Sequence, residues 1–205
     1  MSLKHTASDT RLQLVSRTVT FEGLTDVMFD RYPGDNSTKL EWHQKIYLVP
    51  GTSVMALPID NIVSLLSAHN TNSAPKRLRD KRKFKDIANA NLSFVTVSGP
   101  KESPRYIPFL RDGKAVEVGT FGPERDDKSG VYLDRRVARL DKGIPNPKER
   151  PVLPAPWALT FTLSILPNKE MKEQELHNLL VEAGMAIGIG TYRGVFGKFS
   201  VTQWE

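Results

Sequence analysis

From Trp157 to Ile165 the chain alternates without a break. Trp157, Leu159, Phe161, Leu163 and Ile165 are apolar, and Ala158, Thr160, Thr162 and Ser164 stand between them. A period of two fits a half-buried strand with one face on a core. Pro167-Asn168 closes it. Leu176, Leu179, Leu180, Ala183 and Ile187 then follow at i, i+3, i+4, i+7 and i+11. That stripe predicts an amphipathic helix lying on a sheet. A glycine-rich loop comes next, and Lys198 to Trp204 reads as a final strand. Strand, helix, loop and strand in this order predict an α+β fold.

The remaining text is consistent with a second unit of the same kind. Arg17, Val19 and Phe21 share one face of a predicted strand, and Thr18 and Thr20 share the other. Lys45 to Val49, closed by Pro50-Gly51, is a short strand candidate. A helix is expected to begin near Pro58, with Ile62, Leu65, Leu66 and His69 at helical spacing. Leu92 to Val97 returns to strand character. Gly99 to Pro154 is punctuated by glycine and proline, with short strands expected at Tyr106 to Leu110, Lys114 to Thr120 and Val131 to Arg135. Pro145 to Pro156 reads as an extended, proline-stiffened approach to the strong strand. No internal repeat occurs. With 205 residues, one domain over 1–205 is expected, with insertions at about 22–56, 71–91 and 99–154.

Charge is uneven. The formal net charge is +6, and the stretch from Lys76 to Lys85 carries that whole excess. It holds Lys76, Arg77, Arg79, Lys81, Arg82, Lys83 and Lys85 against Asp80 alone. Such a block attracts polyanions, although a solvated loop would have the same composition. Arg135, Arg136 and Arg139 form a smaller cluster. The chain has no cysteine, which excludes disulfides and thiolate metal sites. No apolar run is long enough to span a bilayer, and Met1 to Leu12 is polar, so a cytoplasmic protein without membrane contact is expected.

The loop reads Gly188-Ile189-Gly190-Thr191-Tyr192-Arg193-Gly194-Val195-Phe196-Gly197-Lys198. Four glycines in ten residues demand sharp bends or a close approach. Exposed amides in such turns bind anions. Arg193 and Lys198 add charge, and Tyr192 and Phe196 add rings for stacking. A steric helix-to-strand turn is the plainer alternative. A dinucleotide loop follows a strand, opens a helix and spaces its glycines differently. Here the loop follows a helix, and eight residues remain after Gly197. Gly-Lys-Ser/Thr occurs nowhere, which removes a Walker loop.

The segment Ala186 to Phe199, placed between a helix and a strand, resembles the C-terminal glycine-rich signature of the repeat-associated (RAMP) superfamily of CRISPR proteins. The resemblance covers about Pro156 to Trp204. It implies a ferredoxin-like, RNA-recognition-type β-α-β-β-α-β core with large insertions, and a glycine loop near bound guide RNA. Insertions in the superfamily's backbone subunits contact RNA and neighbouring subunits. By resemblance, the basic run and Arg135-Arg136 would take those parts. This chain departs from such subunits in being short.

Some members of that superfamily cut RNA with histidine. This chain has four histidines, His5, His43, His69 and His177. His5 falls in the N-terminal tail, and His177 is expected to be solvated beside the helix stripe. Neither His43 nor His69 has a local partner pattern for general acid-base work. Asp126-Asp127 reads as a turn, and no Asp/Glu/His group has metal-ligand spacing. The expectation is therefore a non-catalytic subunit that binds single-stranded RNA, or DNA, without metal or cofactor. Its partners would be other subunits of a ribonucleoprotein or copies of itself. Nucleic-acid contacts are expected at Lys76 to Lys85, Arg135, Arg136, Gly188, Gly190, Tyr192, Arg193, Gly194, Phe196, Gly197 and Lys198. A metal-independent endoribonuclease of the same fold and a structural protein of phage or mobile-element origin are the alternatives.

Overall fold

The alternation at Trp157–Ile165 and the flanking elements set the architecture. The structure, a computed structural model, describes residues 13–35, 37–67, 74, 84–119, 121–122, 131–139 and 145–205. In chain order the elements are β1 (Val15–Gly23), β2 (Val27–Met28), a 3-10 turn (Trp42–Lys45), β3 (Ala56–Pro58), α1 (Ile59–Leu66), α2 (Phe84–Phe94), β4 (Val95–Ser98), β5 (Tyr106–Arg111), β6 (Lys114–Ala115), β7 (Phe121–Gly122), β8 (Val131–Arg139), β9 (Pro145–Leu153), β10 (Ala158–Ile165), α3 (Glu173–Ala186) and β11 (Phe199–Trp204).

The main sheet runs β11-β1-β10 and continues through β4 and β5, which both pair with β10. Every one of these pairings is antiparallel. First strand, helices, second strand, third strand, helix and fourth strand, ordered fourth-first-third-second in space, make the ferredoxin-like, RNA-recognition-type arrangement. The second strand is split. β4 pairs with Thr162 to Ile165, and β5 with Ala158 and Leu159 of the same edge. Residues 99–105 bulge out between them, closed by Gly99 N–H to Pro104 O at 2.8 Å.

Leu159, Phe161, Leu163 and Ile165 on β10 and Val19 and Phe21 on β1 are buried. They pack with Leu176, Leu179, Leu180 and Ala183 of α3 in one apolar cluster. Arg17 shares that face, and its cation is neutralised. Its Nη2 bonds Glu173 Oε2 at 3.2 Å, and Trp204 Nε1 donates to Glu173 Oε1 at 2.9 Å. The hydrogen bond from Arg17 is the main cause that holds the Glu173 carboxyl below its usual range.

The opposite face is a ladder of hydroxyls. Thr18 stands against Thr162, which stands against Ser98, and Ser16 against Ser164. Thr20 Oγ1 lies 3.0 Å from Thr160 Oγ1 and 2.8 Å from Gln203 Oε1. The two central strands offer no ring there. They therefore lack the stacking platform with which RNA-recognition sheets hold bases.

A second sheet, β2-β9-β8-β7, leaves the core as a long hairpin. β8 and β9 pair from Tyr132↔Val152 to Arg139↔Pro145. The prolines of β9 fall at 145, 147 and 151, all on the same parity. Pro151 O accepts Phe29 N–H at 3.0 Å, so that parity directs its backbone away from β8. The missing N–H groups thus face the outer edge, and the β8–β9 ladder loses no donor to them. The stretch expected to be merely extended is a full hairpin strand for this reason.

Other expectations shift. Lys45 to Val49 is no strand. Leu48 bridges Met55 once, and the chain then leaves to pair β3 with β5. Residues 92–94, expected in a strand, close α2 instead. Asn91 Nδ2 bonds Leu66 O at 2.8 Å and ties α2 to α1. Residues 84–91, assigned to an insertion, belong to the same helix. Of the strand expected from Lys114 to Thr120, Lys114–Ala115 is the part that forms one among the described residues 114–119.

Candidate nucleic-acid interface

The glycine loop leaves α3 and folds onto the root of the hairpin. Gly188, Gly190, Gly194 and Gly197 all have positive φ, as does Tyr192 at 57°. Two positions show why glycine is needed. A Cβ on Gly190 would sit 2.7 Å from Met28 O, and one on Gly188 would sit 2.6 Å from the Gly197 carbonyl carbon. The loop is thus packed against itself and against β2. Several of its amides are committed internally: Thr191 N–H to Met28 O at 2.9 Å, Gly194 N–H to Ile187 O at 2.6 Å, and Gly197 N–H to Asp26 O at 2.7 Å. Lys198 N–H donates to Thr25 Oγ1 at 3.0 Å. Among the expected anion-binding amides, these serve the loop's own shape.

What the loop displays is its side chains. Phe196 is buried beside Met28 and Val152, with Tyr132 packed against them. Tyr192 is 53% exposed, with its ring 6.2 Å from that of Phe196. The Arg136 guanidinium of β8 lies 5.3 Å from the Tyr192 ring centre and 5.2 Å from that of Phe196. These distances are within cation–π range. Two segments more than fifty residues apart, each expected on its own to meet nucleic acid, therefore form one cluster. Alternation along β8 explains the aim of Arg136. Tyr132, Asp134 and Arg136 share the face that meets the loop, and Tyr132 Oη donates to Asp26 Oδ2 at 2.9 Å.

The cations of the cluster are steered by carboxylates. Arg136 Nε bonds Asp134 Oδ1 at 2.8 Å, which is the main cause that raises its pKa further. Arg135 points to the other face and pairs with Glu149 at 2.7 Å. Lys148 stands directly across from Arg136. Arg150, two pairs nearer the root on the same face, is held by Asp30 at 2.8 Å. Arg193, expected to be displayed, is partly buried. Its Nε donates to Gly190 O at 3.2 Å, its Nη1 is enclosed without a protein partner, and burial lowers its pKa.

No protein-family model matches the chain, and no curated protein matches its sequence. Its fold has a solved counterpart. A chain of the cryo-EM structure of the Type III-B Cmr-beta bound to cognate target RNA superposes with a TM-score of 0.57 at 10% identity. The match covers 95% of this chain and 61% of that one, so this chain spans about three fifths of its counterpart's length. At that identity the likeness establishes the fold.

Lys76, Arg77, Arg79, Lys81, Arg82 and Lys83 lie outside the described residues, as do His5, His69 and Asp126-Asp127. Lys85 falls in α2. His177, expected to be solvated, packs its ring 4.9 Å from Trp204 in an edge-on contact. His43 is exposed beside Trp42. Among the described residues no group of His, Asp and Glu is placed to hold a metal, and no helix is long and apolar enough to cross a membrane. Sequence reasoning missed Lys148 and Asp134. The signal was the pairing register of β8 and β9, which only a recognised hairpin would supply.

Proposed function

We propose that the chain is a non-catalytic subunit that holds single-stranded RNA in a CRISPR-type ribonucleoprotein, across the junction of the glycine loop and the β8–β9 hairpin. The observation that carries this is the convergence of Arg136 with the Tyr192 and Phe196 rings. An exposed ring beside a guanidinium, with Lys148 next to it, offers a base a stacking partner and its phosphates a cation. On the hydroxyl-lined face the two central strands offer no ring and no cation, so the strand is assigned to the rim. The similarity to a chain of an RNA-bound Type III-B Cmr structure supports RNA as the ligand and a multi-subunit setting. The basic run Lys76 to Lys85 would add phosphate contacts.

Fluorescence anisotropy with labelled single-stranded RNA, single-stranded DNA and duplex DNA at two salt concentrations tests the reading, with a gel of the recovered RNA. Salt-sensitive binding to intact RNA is expected, with a slope of about −0.7 per neutralised phosphate. Binding that ignores salt would overturn it. Cleavage that persists in chelator and disappears on changing His43 or His69 would favour an endoribonuclease.

A further inference from the structure

Beyond the edge of β9 lies a cleft of about 590 Å³ between that strand and the segment from Asp30 to Lys45. We propose that this cleft is a second nucleotide site, taking the base and phosphate that neighbour the one on Tyr192. The proposal rests on the RNA-binding reading above and extends it to a defined place.

The cleft is large enough for a nucleotide, since ligand clefts run from about 300 to 1,000 Å³. Arg31, Tyr32, Lys39, Trp42, Lys45 and Lys148 line it. Its carboxylates are Asp30, Glu41 and Glu149. Two of these are already neutralised by arginines that do not line the cleft. Asp30 is held by Arg150 at 2.8 Å, and Glu149 by Arg135 at 2.7 Å. Four cations therefore face Glu41 alone. Lys45 Nζ bonds a carbonyl, Glu149 O at 2.6 Å, which leaves its charge uncompensated. Lys148 reaches Asp30 only at 3.9 Å. A concavity with such an excess of positive charge draws anions.

Two aromatic residues line this basic cleft. Tyr32 is 61% exposed, and the Trp42 indole contributes to the wall. Ring and cation together recur in sites that hold single strands without reading sequence. Continuity supplies the last step. Lys148 lines the cleft and stands directly across from Arg136 in the β8–β9 register. Opposed residues share a face with Cβ atoms about 5 Å apart. One cross-strand pair, Arg136 with Lys148, thus joins the Tyr192–Phe196 cluster to the cleft.

The test is photo-cross-linking of a 4-thiouridine-substituted RNA oligomer to the full chain, with the adduct sites mapped by mass spectrometry. Anisotropy of the Tyr32→Ala/Lys39→Gln double variant runs beside it. Both residues are exposed, so the variant is expected to fold, and its circular dichroism and melting point check this. Adducts within residues 31–45 and binding about tenfold weaker at low salt are expected. Adducts confined to 132–152 and 192–198, with the variant binding as well as the parent, would overturn the cleft and leave the loop–hairpin reading standing. No adduct and no binding by the parent would overturn both. A parent that binds RNA with adducts elsewhere, while the variant loses only a protein partner, would make the cleft a protein site and overturn it too.

Discussion

The main sheet and the projecting hairpin are both antiparallel, yet different physics specifies them. In β10 every second side chain is buried, and a slip of one residue would turn the whole apolar set to solvent. In the outer part of the hairpin, from Asp134 to Val137 and Asn146 to Glu149, hardly any apolar surface is enclosed. Register there comes from cross-strand charge pairs such as Arg135 with Glu149, and from prolines that leave the ladder's donors intact. Regions fixed by burial are rigid and chemically silent. Regions fixed by pairing leave polar and aromatic groups on the surface, where a ligand can meet them. The candidate interface lies where the two meet.

Breaking the burial side should have the largest effect. Phe161→Ala is expected to destabilise the chain by about 3–5 kcal/mol in denaturant unfolding, because a fully packed ring leaves a cavity. A loss below about 1 kcal/mol would mean that β10 is not the core strand. Gly190→Ala should come next, at about 2 kcal/mol, from a positive φ and a Cβ pressed on Met28 O. Hydrogen exchange is expected to show the loss in the loop and β2 first. Uniform loss across the main sheet would contradict a loop that is a separate layer of the design. Arg150→Met strips Asp30 of its close partner and should cost about 1–3 kcal/mol. Faster exchange is expected in β9, with β1 and β10 unchanged.

The smallest effect sharpens the comparison through pH. The folded pKa of Glu173 is depressed, so its stabilisation is present above the pKa of the unfolded carboxyl. It is lost as pH falls through the folded value. Glu173→Gln should therefore be slightly less stable than the parent at neutral pH, with the gap closing under acid conditions. The exposure of the pair keeps the effect small. A gap that widens in acid would reverse the sign assigned to this residue.

The legibility of the sequence follows the same division. β10, α3 and β11 were readable because burial writes a period into the residues, whereas the ferredoxin-like order was implied by the resemblance that the glycine loop carries. Pro145 to Leu153 was not readable as a hairpin strand. Its prolines resemble a linker until their common parity is set against a partner. The loop's glycines were readable as a constraint, but their purpose was not. Local sequence cannot tell an amide that holds Met28 O from one that awaits a phosphate. Arg136 and Tyr192 were each singled out, and their contact was invisible because no sequence period links β8 to the loop. Lys148 and Tyr32 were not singled out as site residues because single residues in a turn and a proline-rich strand carry no pattern.

The most direct test compares the parent with Arg136→Gln/Tyr192→Ala for binding to single-stranded RNA at two salt concentrations. Losing a stacked base is worth about 1–3 kcal/mol, so affinity should fall by roughly tenfold to a hundredfold, with a shallower salt slope and an unchanged melting point. Equal affinity in a folded double variant would contradict the central claim and place the strand elsewhere on the molecule.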